Sequence, residues 1–199
     1  MVKSLIIGII GAQGAVSEHY NSIKKSFIDL GIKGDILIIK DKNEIEKIDG
    51  LIIPGGESTT ISRILYKNNL FKTIIDRYKK DNLPIMGTCA GCVILSKEVE
   101  DDKNLKLLKI MNISVKRNAF GRQKESFEKE ISINVFNKNY NAVFIRAPLI
   151  KKVWDKCSIL SKIDDKIIMV KQDNLLAVAF HPELTDDLRV HKYFLNMIL

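Results

Sequence analysis

Cysteine is scarce. There are three in 199 residues, an odd number, so no disulfide framework is expected and a reducing, cytoplasmic setting is. Histidine is as scarce, with only His19, His181 and His191, which leaves few candidates for any chemistry that needs imidazole. No apolar run approaches the roughly 18 to 20 residues that cross a bilayer, and the N-terminus lacks a signal-peptide pattern, so neither a membrane partner nor secretion is expected. No stretch is rich enough in Pro, Gly or Ser to be a linker, and no internal repeat is found, so residues 1–199 are read as one domain. The formal charge of +8 comes from Lys and Arg interleaved with acids. That pattern reads as a solvated surface and not as a nucleic-acid site.

What is present alternates short apolar runs with helical periods. Residues 3–10, 35–39, 50–53 and 83–86 are unalternating runs of strand length, the pattern of parallel strands buried on both faces. Val16, Tyr20, Ile23, Phe27 and Leu30 recur at three- and four-residue spacing toward a stop at Gly31. Ile61, Ile64 and Leu65, and then residues 70–80, follow helical spacing too. Further strands are expected at 107–115, 130–135, 142–145, 157–163, 166–171 and 175–180, before a closing helix capped by Thr185. The expected fold is α/β: a single flavodoxin-like three-layer domain, with a mostly parallel central sheet and an antiparallel extension.

The chain is organised around Gly87-Thr88-Cys89-Ala90-Gly91, between an apolar run and a helix-like stretch. Gly-x-Cys-x-Gly is the thiol counterpart of a nucleophile elbow: the reactive residue takes a strained backbone position and the flanking glycines relieve crowding. The helix that follows aims N–H groups at the sulfur, favouring thiolate and leaving donors for an oxyanion. His181-Pro182-Glu183 follows the last strand. In an extended segment residues two apart share a face, so Glu183 can fix the tautomer of His181 while the other ring nitrogen serves the thiol. His19 and His191 lie among charged neighbours on helical patterns and are read as surface or interface residues.

Pro54-Gly55-Gly56-Glu57-Ser58-Thr59-Thr60 ends the third strand, where a Gly-Gly loop brings backbone amides close to a ligand; Ser58 or Thr59 is also a natural helix N-cap. Strand ends at the carboxyl edge of a parallel sheet form the ligand crevice, so this loop and the Cys89 elbow should face one space. Cys89 and Cys92 also form Cys-x-x-Cys, which keeps a thioredoxin-like dithiol open as an alternative. No ligand spacing for a metal accompanies it.

On these residues the chain resembles the class I glutamine amidotransferases, most closely the glutaminase subunits of pyridoxal 5′-phosphate synthase. The elbow and His181-Pro182-Glu183 carry the superfamily. Ala12-Gln13-Gly14-Ala15 with Glu18-His19, the Gly-Gly loop, Arg117-Asn118-Ala119-Phe120-Gly121-Arg122-Gln123 and Ile145-Arg146-Ala147-Pro148 carry the subfamily. The resemblance implies hydrolysis of L-glutamine through a Cys89, His181, Glu183 triad and a glutamyl thioester, with no cofactor and no metal. It implies an oxyanion hole from the backbone of Gly56 and Ala90. Glutamine would be surrounded by Gly56, Glu57, Ser58, Arg117, Ile145 and Arg146. The implied partner is the synthase subunit that consumes ammonia in vitamin B6 synthesis, meeting this chain around Gln13, Glu18 and His19.

Overall fold

A computed structural model describes residues 4–117, 119 and 126–199. Most of the expected loop at 117–123 lies outside these residues, as does Lys3. In chain order the elements are β1 (Leu5–Ile10), α1 (Val16–Leu30), β2 (Gly34–Ile39), α2 (Lys42–Ile45), β3 (Gly50–Ile53), α3 (Ser58–Lys67), α4 (Leu70–Asp81), β4 (Ile85–Thr88) and α5 (Ala90–Leu95). They continue as β5 (Ser96–Val99), β6 (Met111–Lys116), β7 (Ser126–Ile131), β8 (Tyr140–Ile145), β9 (Leu149–Val153), β10 (Ser158–Ile163), β11 (Lys166–Gln172), β12 (Leu175–Val178) and α6 (Arg189–Asn196).

The main sheet runs β2-β1-β3-β4-β12-β11-β9-β6-β5, with β10 paired to β11. Its first five strands are parallel, in the doubly wound order whose ligand crevice lies where the winding reverses, outside the carboxyl ends of β1 and β3. Beyond β12 the pairing turns antiparallel at β11 and β9, while β5 and β6 are parallel. The α/β class, the mostly parallel centre and the antiparallel extension therefore match the expectation from sequence.

Alternation along each central strand divides the core into two layers. Leu51, Ile53, Leu175 and Ala177 face Ile61, Leu65 and Ile74 of α3 and α4. Ile52, Leu176 and Val178 face Ile23 and Phe27 of α1, Phe194 of α6, and Tyr140 and Phe144 of the β7–β8 hairpin. Helix α1 ends at Gly31, whose left-handed backbone (φ 65°) lets its N–H close on the last turn.

Several expectations shift. The stripe of α1 that meets the sheet is His19, Ser22, Ile23, Ser26 and Phe27, while Tyr20 and Leu30 are exposed; the small serines complete the helical face that the aromatic at position 20 suggested elsewhere. Residues 107–110 precede strand β6, and the strand expected at 130–135 lies earlier, as β7. Strands β5 and β9 were not expected at all. Thr185 does not cap α6, whose N-cap is Leu188.

Candidate active site

The elbow forms because β4 must turn into α5 directly against β3. A β-carbon on Gly91 would lie 2.0 Å from the Ile53 carbonyl oxygen, and one on Gly87 would lie 2.5 Å from the Gly91 backbone. Both positions exclude any side chain. Between them Cys89 takes φ 47° and ψ −102°, a costly conformation for a residue with a β-carbon. Its N–H donates to Val178 O at 2.8 Å, holding the bend to the neighbouring strand. The thiol is nearly buried and lies 3.8 Å from Ile145 O.

His181 is placed by β12 and fixed by its own N–H, which donates to Val143 O of β8 at 2.8 Å. Its ring packs over Gly55, where a β-carbon would come within 2.5 Å of Cε1 and 3.3 Å of Cys89 Cβ. Nδ1 donates to Glu183 Oε1 at 2.7 Å, leaving Nε2 for the sulfur. The backbone between them is not extended as expected from sequence, because Pro182–Leu184 is a 3-10 turn. The turn brings the carboxylate under the ring all the same. Burial lowers the affinity of His181 for its proton, but the hydrogen bonds and negative charge of Cys89 and Glu183 outweigh it and raise the pKa to about 10.

Above the sulfur lies a cleft of about 510 Å³, lined among others by Gly56, Ala90, Ser58, Arg117, Ile145 and Arg146. Gly55 O accepts from Ala15 N–H at 3.2 Å, so the N–H of the same trans peptide, that of Gly56, points away from the β1–α1 loop. Gln13 Oε1 accepts from Glu57 N–H at 3.1 Å, and Gly14, at φ 101°, has no room for a β-carbon beside the Gly55 carbonyl. The loop after β1 thus holds the loop after β3. Ala90 N–H, in the first turn of α5, has no acceptor within the helix.

Glu57, rather than Ser58 or Thr59, caps α3: its carboxylate accepts from Thr59 N–H at 3.2 Å, Thr60 N–H at 2.8 Å and the Thr59 hydroxyl. Burial alone would raise its pKa, but these donors hold it below the usual range. Arg117 is aimed over the cleft by Asp101 and Asp102, each at 3.3 Å, and reaches Ser58 Oγ at 3.5 Å.

Cys92 is fully buried in α5, and burial, then the neighbouring Cys89 and Cys157, push its thiol pKa far up. Cys92 packs inside the core beside Ile94 and Leu95, where it fills space as a small apolar side chain. Among the described residues no group of His, Cys, Asp or Glu is arranged to hold a metal ion, and no helix is long and apolar enough to cross a membrane.

The expectation that His19 and His191 are surface or interface residues is not met within this chain, where both are completely buried. His19 therefore presents no side chain to a partner, whereas Gln13 is exposed and Glu18 half-buried on the same edge. His19 touches Thr88 and Glu183 instead. It shares the buried stripe of α1 with Ser22, Ile23 and Ser26, a face that the apolar spacing of the helix does not mark.

Comparison with known proteins gives the family. A pyridoxal 5′-phosphate synthase subunit PdxT from Methanosarcina barkeri is 44% identical over 195 residues, covering 96% of this chain and 97% of its own length. The protein of that name from Pyrococcus furiosus is 44% identical over 201 residues and covers both chains fully. A crystal structure of a glutamine amidotransferase superposes with a TM-score of 0.87 at 35% identity, over 96% of this chain and 98% of its own. Residues 9–199 match the SNO glutamine amidotransferase family, and the chain belongs to it.

Proposed function

We propose that the chain is the glutaminase subunit of a pyridoxal 5′-phosphate synthase and hydrolyses L-glutamine through Cys89, His181 and Glu183. The observation that carries this reading is the line from buried carboxylate to imidazole to thiol, Glu183 Oε1 to His181 Nδ1 at 2.7 Å and on to Cys89, on the floor of an open cleft.

His181, its pKa raised by Cys89 and Glu183, takes the thiol proton of Cys89 and holds it. The sulfur attacks the side-chain amide carbon, forming a C–S bond while the carbonyl pair moves onto oxygen. Backbone N–H groups of Gly56 and Ala90 receive that oxyanion. His181 then gives its proton to the amide nitrogen, the C–N bond breaks, and ammonia departs, leaving the thioester. Water attacks next, His181 takes its proton, and the C–S bond breaks to release glutamate and restore the thiolate. Glu183 orients the ring and balances its charge throughout.

Arg117 and Arg146 suit the α-carboxylate of glutamine through forked donors. Glu57, though engaged as a cap, retains lone pairs for the α-ammonium, with Ser58, Gly56 and the Ile145 carbonyl around the rest. Ammonia must pass to its acceptor without meeting water, and the edge bearing Gln13 and Glu18, beside the cleft, is the surface assigned to the synthase subunit. Three free thiols suit a reducing cytoplasm.

The test is glutamate release by the purified chain, alone and mixed with the cognate synthase subunit. Release is expected to rise on mixing, to vanish in Cys89→Ser and to persist in Cys92→Ala. Equal rates with and without the partner would remove the subunit assignment, and loss in Cys92→Ala with retention in Cys89→Ser would overturn the mechanism.

A further inference from the structure

Behind the catalytic carboxylate lies a polar cluster that the reaction scheme does not use. His19 Nε2 is 3.0 Å from Thr88 Oγ1 and 3.4 Å from Glu183 Oε2. On its other side His19 Nδ1 is 3.0 Å from His191 Nε2. All four side chains are buried. Glu183 Oε2 and His191 Nδ1 complete no ordinary hydrogen bond among the described residues, so the contact at 3.4 Å is a charge meeting a polar N–H and not a full bond.

The hydrogen positions follow from elimination. Burial first, then the charges of His191 and His181, keep His19 neutral, and burial lowers the His191 pKa to about 3. Each ring therefore carries one N–H, and a single hydrogen lies between His19 Nδ1 and His191 Nε2. Were it on His19, the hydrogen of His191 would sit on Nδ1 as a buried donor with no acceptor. The bare Nε2 of His19 would then turn its lone pair toward the Glu183 carboxylate. With the hydrogen on His191 Nε2, the orphan is only an acceptor, which buried sites tolerate better. His19 then carries its hydrogen on Nε2, toward Thr88 and Glu183.

We infer that His19, held as the Nε2–H tautomer by His191, is a positioning residue for the triad. It braces the far oxygen of Glu183 so that the near one stays aimed at His181, and it ties this carboxylate to Thr88, the residue before the nucleophile. One buried imidazole thus joins the strand that delivers the sulfur to the turn that delivers the acid, across 69 positions of sequence to Thr88. The inference rests on reading Cys89, His181 and Glu183 as the glutaminase triad.

The experiment is steady-state glutamate release by the full-length chain with its synthase subunit. His19→Leu is expected to lower kcat by about 10- to 100-fold, the loss of one polar partner to a buried charge, with KM for glutamine changed less than about twofold, because His19 lines no part of the glutamine cleft. In His19→Gln the side-chain amide nitrogen reaches the place of Nε2 and should return kcat to within about threefold of the parent. In His19→Asn it reaches only the place of Nδ1 and should not. If His19→Leu fails to fold, the Gln and Asn variants, close in size and polarity, decide alone. Equal kcat in those two, or a parental kcat in His19→Leu, would overturn the inference while leaving the glutaminase reading intact. A parent chain without release dependent on Cys89 would remove both, and is seen before any His19 variant is made.

Discussion

Gly91 lies against Ile53 so closely that a single methyl group at its α-carbon would stand 2.0 Å from the Ile53 carbonyl oxygen. That oxygen belongs to the backbone of a central strand and cannot swing aside. Gly91→Ala must therefore lift α5 off β3 or bend the strand, and either moves Cys89. The expected cost is about 3 kcal/mol or more, in the range of overpacked cores, with glutamate release lost even from the fraction that folds. Urea denaturation together with the activity assay checks both parts. A stable, fully active variant would mean that the elbow has room it is not thought to have.

The parallel half of the fold and the two ends of the triad were legible because each rests on local pattern. The runs at 35–39, 50–53 and 83–86 are apolar on both faces, and the glycines around Cys89 announce a turn that needs them. The antiparallel half was less legible. Leu108 and Ile110 pack into the core from irregular backbone, so the apolar run there resembles a strand, whereas β9, Leu-Ile-Lys-Lys-Val, hides behind its lysines. The His19–His191 pair was not legible at all. Its members are 172 positions apart, and a histidine among charged neighbours becomes a core residue only when tertiary contact supplies its partners. The 3-10 turn at Pro182–Leu184 teaches the same point from the other side: the expected contact between His181 and Glu183 forms, through a backbone shape that residue spacing did not specify.

Arg117 is charged, yet it is held by Asp101 and Asp102 and points one nitrogen at Ser58 across the cleft. A guanidinium fixed in this way loses little freedom when it takes a carboxylate, so its contribution should fall on substrate binding. Arg117→Ala is expected to raise KM for glutamine by roughly 10- to 100-fold, the equivalent of about 1.5 to 3 kcal/mol for a hydrogen bond to a charged group, with a smaller change in kcat. Arg117→Lys should recover only part, since an ammonium does not present two parallel donors. Steady-state kinetics over a wide glutamine range separates the two parameters. An unchanged KM in the alanine variant would take Arg117 out of the glutamine site.

The histidines give stability a pH dependence of opposite sign on either side of their ordinary pKa of 6.5. His181 has its pKa raised in the folded protein, to about 10, so the folded state binds a proton that the unfolded chain releases. Its contribution is complete below 6.5 and is lost as pH rises from there toward 10. His19 and His191 have theirs lowered, His191 to about 3, so the unfolded chain takes protons that the buried rings refuse. Their contribution is present above 6.5 and is lost as pH falls. Melting temperature should therefore peak near pH 6.5 and decline both ways. The alkaline decline should be read below about pH 7.5, before the buried thiols of Cys92 and Cys157, whose pKa values are raised, begin to ionise in the unfolded chain. The acid decline should be read above about pH 5, before the lowered carboxylates of Glu57 and Asp187 begin to matter. Within those windows His181→Gln should flatten the alkaline slope and, by removing one of the charges that lower the His19 pKa, reduce the acid one only slightly. His191→Leu should reduce the acid slope and leave the alkaline one. Slopes that respond to neither substitution would assign the titrations to other groups.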